Sequence, residues 1–196
     1  MLSIGGVIIP FGVGWVVSRE LAITFDGTSL VLLFRHFELD MGNRSLSFSD
    51  LRQILPEVYR LRDEGYTQTG SWDLMQTCEH LADWMSFPLD GFPKQPWFIA
   101  WMFPIMRLTF GKSSLRKILT TGEMGKGMPT MPETVYKAGG SLDKAIERLA
   151  ASIERLSDSQ GPFHPSPVFG KLGKEELVRL QLVHCGHHLA FLNPNR

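Results

Sequence analysis

Apolar residues recur at the period of an α-helix in two stretches near the middle of the chain. The first runs from Ser49, its candidate cap, to Gly65, and Pro56 is expected to bend it. The second covers about residues 72–86, and we expect it to end before Pro88 because proline cannot donate a backbone hydrogen bond.

A third helical stretch is predicted over about residues 97–120, where the ten-residue run WFIAWMFPIM is too short to cross a bilayer. Pro104 and Gly111 are expected to break it into two pieces. Residues 121–140 are rich in glycine and proline and predict a long loop, a type of segment that often carries function.

Two later helices complete the pattern. Ser141 begins one whose apolar stripe opposes a charged face up to about residue 156. The last is predicted over about residues 174–192. We therefore predict an all-α chain, with four helices packed as an antiparallel bundle.

The first 40 residues differ in character and are treated as a separate extension, with the helical domain spanning residues 41–196. Residues 1–18 carry no charge, yet they lack the basic start of a secretory signal. Residues 21–34 place Asp26-Gly27 between two apolar runs, which is typical of a short β-hairpin. Three origins stay open for the extension: an attached segment, a misplaced translation start and a membrane anchor.

Composition narrows the function classes. Twenty basic and twenty acidic residues give a formal net charge of zero, which argues against a nucleic-acid partner. Cys78 and Cys185 are the two cysteines and form no CxxC pair, so we expect buried free thiols and a cytoplasmic protein. We do not expect a membrane partner.

Three of the six histidines fall in the run HCGHH near the C-terminus. His184 and His188 are four residues apart, so in a helix they share a face and their imidazoles can bind one metal ion. His187 points about 100° away around the helix. His80, in the middle of the second predicted helix, is the candidate third ligand.

Three imidazoles leave coordination positions open, as in catalytic rather than structural zinc sites. Nickel or iron could bind the same nitrogens. Candidate outer partners are Asp83, which could orient a ligand imidazole, Gln181, which could orient a ring or a bound water, Trp84, which could wall the pocket, and His187. The opposing interpretation is that an HxxxH pair is a chance feature of a helix.

Four segments carry a resemblance to a known superfamily: SWDLMQTCEHLADWM, DGFPKQPW, HPSPVFGKLGKEEL and LQLVHCGHHLAFL. From about residue 45 onward the chain resembles the DinB/YfiT-like superfamily of metal-binding four-helix bundles, in a bacterial branch of unknown function. In that superfamily the second helix supplies one histidine and the last helix an H-x-x-H-H run, which correspond here to His80, His184 and His188. Many relatives continue with Arg-Gly-Gln, where this chain has Leu189, Ala190 and Phe191.

The resemblance implies a divalent metal, zinc or nickel, and a reaction on a small-molecule substrate. It also implies a low-molecular-weight thiol as substrate, with transfer or isomerisation as the chemistry, and a homodimer. The leading hypothesis is thus a metal-dependent enzyme in which the ion acts as a Lewis acid, without an evident general base. The rival hypothesis is a non-catalytic binding or scaffold module with a structural ion or none.

Overall fold

The computed structural model describes the backbone of β1 (Leu21–Phe25) and β2 (Thr28–Leu32), and residues 43–94, 102–125 and 130–195. The chain divides into two compact units, Met1–Asp40 and Met41–Arg196. In the first unit, β1 pairs with β2 in the antiparallel hairpin that the sequence predicts. The Asp26-Gly27 turn and the uncharged residues 1–18 lie outside the described residues.

Helix α1 (Ile54–Glu64) follows a 3₁₀ turn and ends at Gly65, which has a φ of 72°. The side chain of Asp50, rather than that of Ser49, caps the 3₁₀ turn by accepting a hydrogen bond from the next residue but one. Pro56 is the third residue of α1. In that first turn a backbone N–H has no partner within the helix, so proline is tolerated at this position of α1.

Helix α2 (Leu74–Asp90) begins with a capping box in which the side chains of Asp73 and Gln76 each accept from the other residue's backbone N–H. The prediction that α2 ends before Pro88 is wrong, because the helix continues through that proline. Pro88 cannot donate to the carbonyl of Trp84 four residues earlier, but the side chain of Gln181 donates to this carbonyl at 2.9 Å. The hydrogen bond replaces the missing one within the helix.

The third helical stretch is continuous over its described part, contrary to the predicted break. It consists of α3 (Met102–Met106), a π-helical turn (Arg107–Gly111) and α4 (Lys112–Thr121). A Cβ at Gly111 would lie 2.4 Å from the carbonyl oxygen of Val168, so this glycine permits close backbone approach rather than ending the helix. Within the predicted loop, Pro132–Thr134 form a 3₁₀ turn.

Helix α5 (Leu142–Asp158) begins at the predicted cap, Ser141, whose hydroxyl accepts from a backbone N–H. Helix α6 (Lys174–Leu189) is shorter than predicted, because the chain leaves it to form β4 (Leu192–Pro194). Strand β4 pairs antiparallel with β3 (Tyr66–Gln68). The fold is therefore mostly helical, as predicted, and the β3–β4 pair is a small sheet that the prediction did not include.

One apolar core joins α1, α2, α5 and α6. Its fully buried side chains include Ile54, Leu81, Leu149 and Leu189, each of which contributes roughly 1.5–3 kcal/mol through burial. A smaller cluster of Leu115, Ile118 and Leu180 fastens α4 to α6. No helix in the described part of the chain combines the length and apolar character needed to cross a membrane.

Candidate metal centre

Two helices of the core bring three imidazoles together. His80 lies on α2, whereas His184 and His188 lie one turn apart on α6. The Nε2 atom of His184 is 3.3 Å from Nε2 of His80 and 3.0 Å from Nε2 of His188. His80 and His184 are buried and His188 is partly buried. The three predicted ligands thus form one cluster, although 104 residues separate His80 from His184.

The spacing of these nitrogens fits a shared ion. Two nitrogens that each bind a tetrahedral zinc at about 2.0–2.1 Å lie about 3.3 Å apart, and octahedral geometry brings them to about 3.0 Å. One ligand nitrogen from each of the three rings lies within 4.8 Å of the others. The donor set therefore suits zinc or nickel and does not distinguish them.

The glycine inside the HCGHH run explains how α6 is held at this position. A Cβ at Gly186 would lie 2.6 Å from the backbone oxygen of Leu46, so the segment that precedes α1 crosses α6 in close contact. The guanidinium of Arg44 in that segment donates to the carbonyl of Leu189 at 3.2 Å and pairs with Glu57. These contacts fix the end of α6 that carries the histidines.

Burial keeps the three imidazoles neutral. It lowers the pKa of His80 to about 4 and that of His188 to about 2. The pKa of His184 is also well below its ordinary value, through burial first and the neighbouring imidazoles second. All three rings are therefore uncharged at neutral pH, which is the form that binds a metal.

The loop before α5 fixes the tautomer of His80. Its Nδ1 atom lies 3.2 Å from the backbone carbonyl oxygen of Thr134. A carbonyl can only accept, so in the neutral ring Nδ1 carries the proton and Nε2 has a free lone pair. That lone pair faces His184, and a carbonyl on the other ring nitrogen is a usual partner of a metal-binding histidine.

Two tryptophans line the cluster. Trp72 stacks on His188 with ring centroids 5.4 Å apart and an interplanar angle of 12°, and its centroid lies 4.7 Å from that of His80. Trp84 meets His184 edge-on at 5.5 Å and lies 6.1 Å from His80. Trp84 thus lies against the histidine cluster, as predicted for a pocket wall, and Trp72 lies against the cluster as well.

The carboxylate of Asp83 does not orient the His80 imidazole, which was the role that the sequence suggested for it. Its carboxylate accepts a hydrogen bond from the hydroxyl of Tyr136 at 2.8 Å and pairs with Arg148, which also pairs with Glu79. The partner of His80 Nδ1 is the carbonyl of Thr134. Asp83 instead ties α2 to α5 and to the loop that supplies this carbonyl.

Gln181 and His187 lie beside the cluster on α6. Gln181 is 3% exposed and its amide donates to the carbonyl of Trp84. The ring of His187 meets that of His188 at 5.1 Å and that of Phe191 at 5.4 Å, both nearly perpendicular. His187 therefore contacts the ring of His188, a predicted ligand, from the side, consistent with its different direction on the helix.

Two cysteines and a further histidine in the described part of the chain lie outside the cluster. Cys78 and Cys185 are buried free thiols, as predicted. Burial raises the pKa of Cys78 to about 12 and raises that of Cys185 as well, so neither is a thiolate at neutral pH. His164, in the segment between α5 and α6, is exposed.

A family model for a protein family of unknown function, DUF1569, matches residues 41–195. The chain belongs to the DUF1569 family. No curated protein and no solved structure matches the chain. The match to DUF1569 covers the unit that contains all three histidines.

Sequence reasoning missed Thr134, Tyr136, Arg148 and Trp72. The length of the loop over residues 121–140 was the one signal that pointed to the first two. Thr134 acts through its backbone carbonyl, which every residue type possesses, so its identity carries no signal. Trp72 precedes α2, and its contact with His188 depends on how α2 and α6 pack.

Proposed function

We propose that this DUF1569 protein is a metal-dependent enzyme in which His80, His184 and His188 bind one divalent ion, zinc or nickel. The observation that carries the proposal is the convergence of three Nε2 atoms, with separations of 3.0 and 3.3 Å between His184 and its two neighbours. The fixed tautomer of His80 supports it, because that ring offers a lone pair to the centre of the cluster.

The charge of the donor set favours an anionic substrate group. Three neutral imidazoles do not offset the positive charge of a divalent ion, so a thiolate or hydroxide is the complementary further ligand. A bound ion would supply Lewis-acid chemistry that lowers the pKa of water or a thiol. The protein itself holds His80 through Thr134 and shields the cluster with Trp72 and Trp84.

The resemblance to the DinB/YfiT-like superfamily completes the proposal. On that basis the four helices around the core form an antiparallel bundle, and the reaction is transfer or isomerisation that uses a low-molecular-weight thiol. A cytoplasmic location and a homodimer belong to the same proposal. The core shared by α1, α2, α5 and α6 supports the proposed bundle, and the histidine cluster between α2 and α6 supports the proposed metal chemistry.

Metal analysis of the full-length chain tests the site. We expect about one ion per chain in the unaltered protein and a loss of most of it in His80→Ala and in His184→Ala. His164→Ala removes an exposed histidine elsewhere and should keep the ion. Unchanged metal content in both ligand variants would overturn the proposal.

A second candidate is a non-catalytic module, which one observation favours. The same Nε2 separations are compatible with hydrogen bonds, with a proton on His184 shared between the other two rings. The two candidates differ in their response to thiols. In the enzyme, small thiols should change the visible absorption spectrum of the cobalt-substituted protein, whereas a self-satisfied histidine cluster takes up no cobalt and shows no such change.

A further inference from the structure

In the part of the chain that the structure describes, two polar atoms beside the histidine cluster are buried without a hydrogen-bond partner. They are the indole Nε1 of Trp84 and the amide Oε1 of Gln181. A buried donor or acceptor without a partner destabilises the fold by about 1–3 kcal/mol, so two of them at one place require an explanation. One is a donor and the other an acceptor.

The structure fixes which amide atom of Gln181 is unpaired. The carbonyl of Trp84 is available because Pro88, four residues later, has no N–H to donate to it. A carbonyl only accepts, so the amide atom that contacts it at 2.9 Å must be the nitrogen, Nε2. The other amide atom is therefore the oxygen, which can only accept a hydrogen bond.

Both residues adjoin the proposed ligands. The ring of Trp84 lies 5.5 Å from that of His184 and 6.1 Å from that of His80. Gln181 lies three residues before His184 on α6 and is 3% exposed. Its amide contacts the backbone of Trp84, so the unpaired donor and acceptor belong to two residues in direct contact.

We infer that Trp84 and Gln181 form a subsite for the amide group of a small ligand that the metal holds through a thiol, an inference that rests on the proposed function. The amide N–H of the ligand would donate to Gln181 Oε1, and its carbonyl would accept from Trp84 Nε1. A carboxylate offers no donor to Gln181 and an ammonium offers no acceptor to Trp84. A neutral group with both capacities satisfies both residues.

Titration of the cobalt-substituted full-length protein with two thiols tests this subsite. N-acetylcysteamine carries an amide, whereas propane-1-thiol carries none. Two hydrogen bonds of about 1 kcal/mol each predict roughly tenfold or greater preference for the amide thiol. In Trp84→Phe the preference should fall about fivefold, and Gln181→Leu should reduce it too. Trp72→Phe makes the same chemical change at the other wall and should retain the preference.

A second measurement does not depend on the metal. The ¹⁵N–¹H signal of the Trp84 indole is identified by its loss in Trp84→Phe. It should shift on addition of N-acetylcysteamine and stay in place with propane-1-thiol. If the shift occurs in a protein that binds no metal, the binding of the amide by Trp84 and Gln181 stands, and the proposed function fails. Equal affinity for both thiols together with no selective shift would mean that these atoms bind structural water only, which overturns the inference.

Discussion

Tyr136 donates its hydroxyl hydrogen bond to the carboxylate of Asp83 at 2.8 Å. The bond joins α2, which carries His80, to the loop whose residue 134 supplies the carbonyl partner of that histidine. The geometry of a proposed metal ligand therefore depends on a contact that touches no ligand.

Removal of this hydroxyl should weaken metal binding without abolishing it. We expect Tyr136→Phe to keep one ion per chain but to bind it up to about tenfold more weakly, because outer partners of metal ligands have effects of this order. The free energy of unfolding should fall by about 0.5–1.5 kcal/mol. Competition with a chromophoric chelator measures the affinity. Tyr59→Phe, at an exposed tyrosine, is the matched control, and equal affinity in both variants would contradict the prediction.

The ion pair between Asp83 and Arg148 should contribute more to the free energy of unfolding than the exposed pair of Asp90 with Arg155, which joins the same two helices. The Asp83 side chain is 9% exposed, whereas Asp90 and Arg155 are each about half exposed. We expect Asp83→Asn to lower the free energy of unfolding by about 1–3 kcal/mol and Asp90→Asn by less than about 1 kcal/mol. Urea unfolding of both variants provides the comparison. Similar losses would show that burial of Asp83 adds nothing.

A double-mutant cycle can measure the bond between Gln181 and the Trp84 carbonyl. In Pro88→Ala the helix regains a backbone donor for this carbonyl, so the side chain of Gln181 is no longer needed there. Gln181→Leu should therefore cost about 0.5–1.5 kcal/mol less in the Pro88→Ala background than in the unaltered chain. Additive effects of the two substitutions would refute the explanation of how α2 continues through its proline.

Metal binding should persist in mild acid. Free histidine has a pKa of 6.5, but burial lowers the pKa of His80 to about 4 and that of His188 to about 2. Protons therefore compete with the metal only well below pH 6, and zinc affinity should change by less than about threefold between pH 7.5 and 6. Calorimetric titration at several pH values measures this. Metal release with a midpoint near pH 6.5 would contradict it.

The same pKa shifts determine how the stability of the metal-free chain depends on pH. Below pH 6.5 the unfolded state binds protons on these histidines that the folded state does not bind. Stability should accordingly be full above pH 6.5 and fall as the pH decreases toward 4, which thermal unfolding in the presence of a chelator can follow.

Substitution of Gly186 should destabilise the fold at the crossing of α6 and the preceding segment. The new Cβ of Gly186→Ala would lie 2.6 Å from the Leu46 carbonyl, a backbone atom that cannot swing away. We expect a loss of about 1–3 kcal/mol. Gly173→Ala is the control, since its Cβ would meet only a carboxylate oxygen of Glu176 at 3.9 Å. Equal losses in urea unfolding would show that the crossing tolerates a side chain.

Periodicity identified the helices because the core selects apolar side chains at helical spacing, as in α5, where Ser141 and the stripe up to Leu156 agree with the structure. It also placed His80, His184 and His188 on the helices that bring them together. Periodicity and helix-ending signals failed at two positions, where a residue that usually ends a helix is accommodated by a contact with a residue distant in sequence. Pro88 lies inside a helix because Gln181 replaces the hydrogen bond that the proline cannot make, and Gly111 lies inside a helix where it permits the close approach of the Val168 backbone.

The pairing of β3 with β4 could not be predicted from local sequence patterns either. Each strand is three residues long, and the pairing of Thr67 with Asn193 joins distant parts of the chain. Such short segments have no alternating pattern to read. The pairing joins the segments that follow α1 and α6, so only the tertiary structure specifies it.

The separation of 104 residues between His80 and His184 has a consequence for the order of events in the cell. During synthesis, the segment with His80 emerges from the ribosome before the residues of α6 that carry its two partners, and strand β3 likewise emerges before β4. Before α6 is translated, the growing chain contains only one of the three histidines of the cluster. Under the proposed function, all three nitrogens can therefore bind the ion only after α6 has been translated.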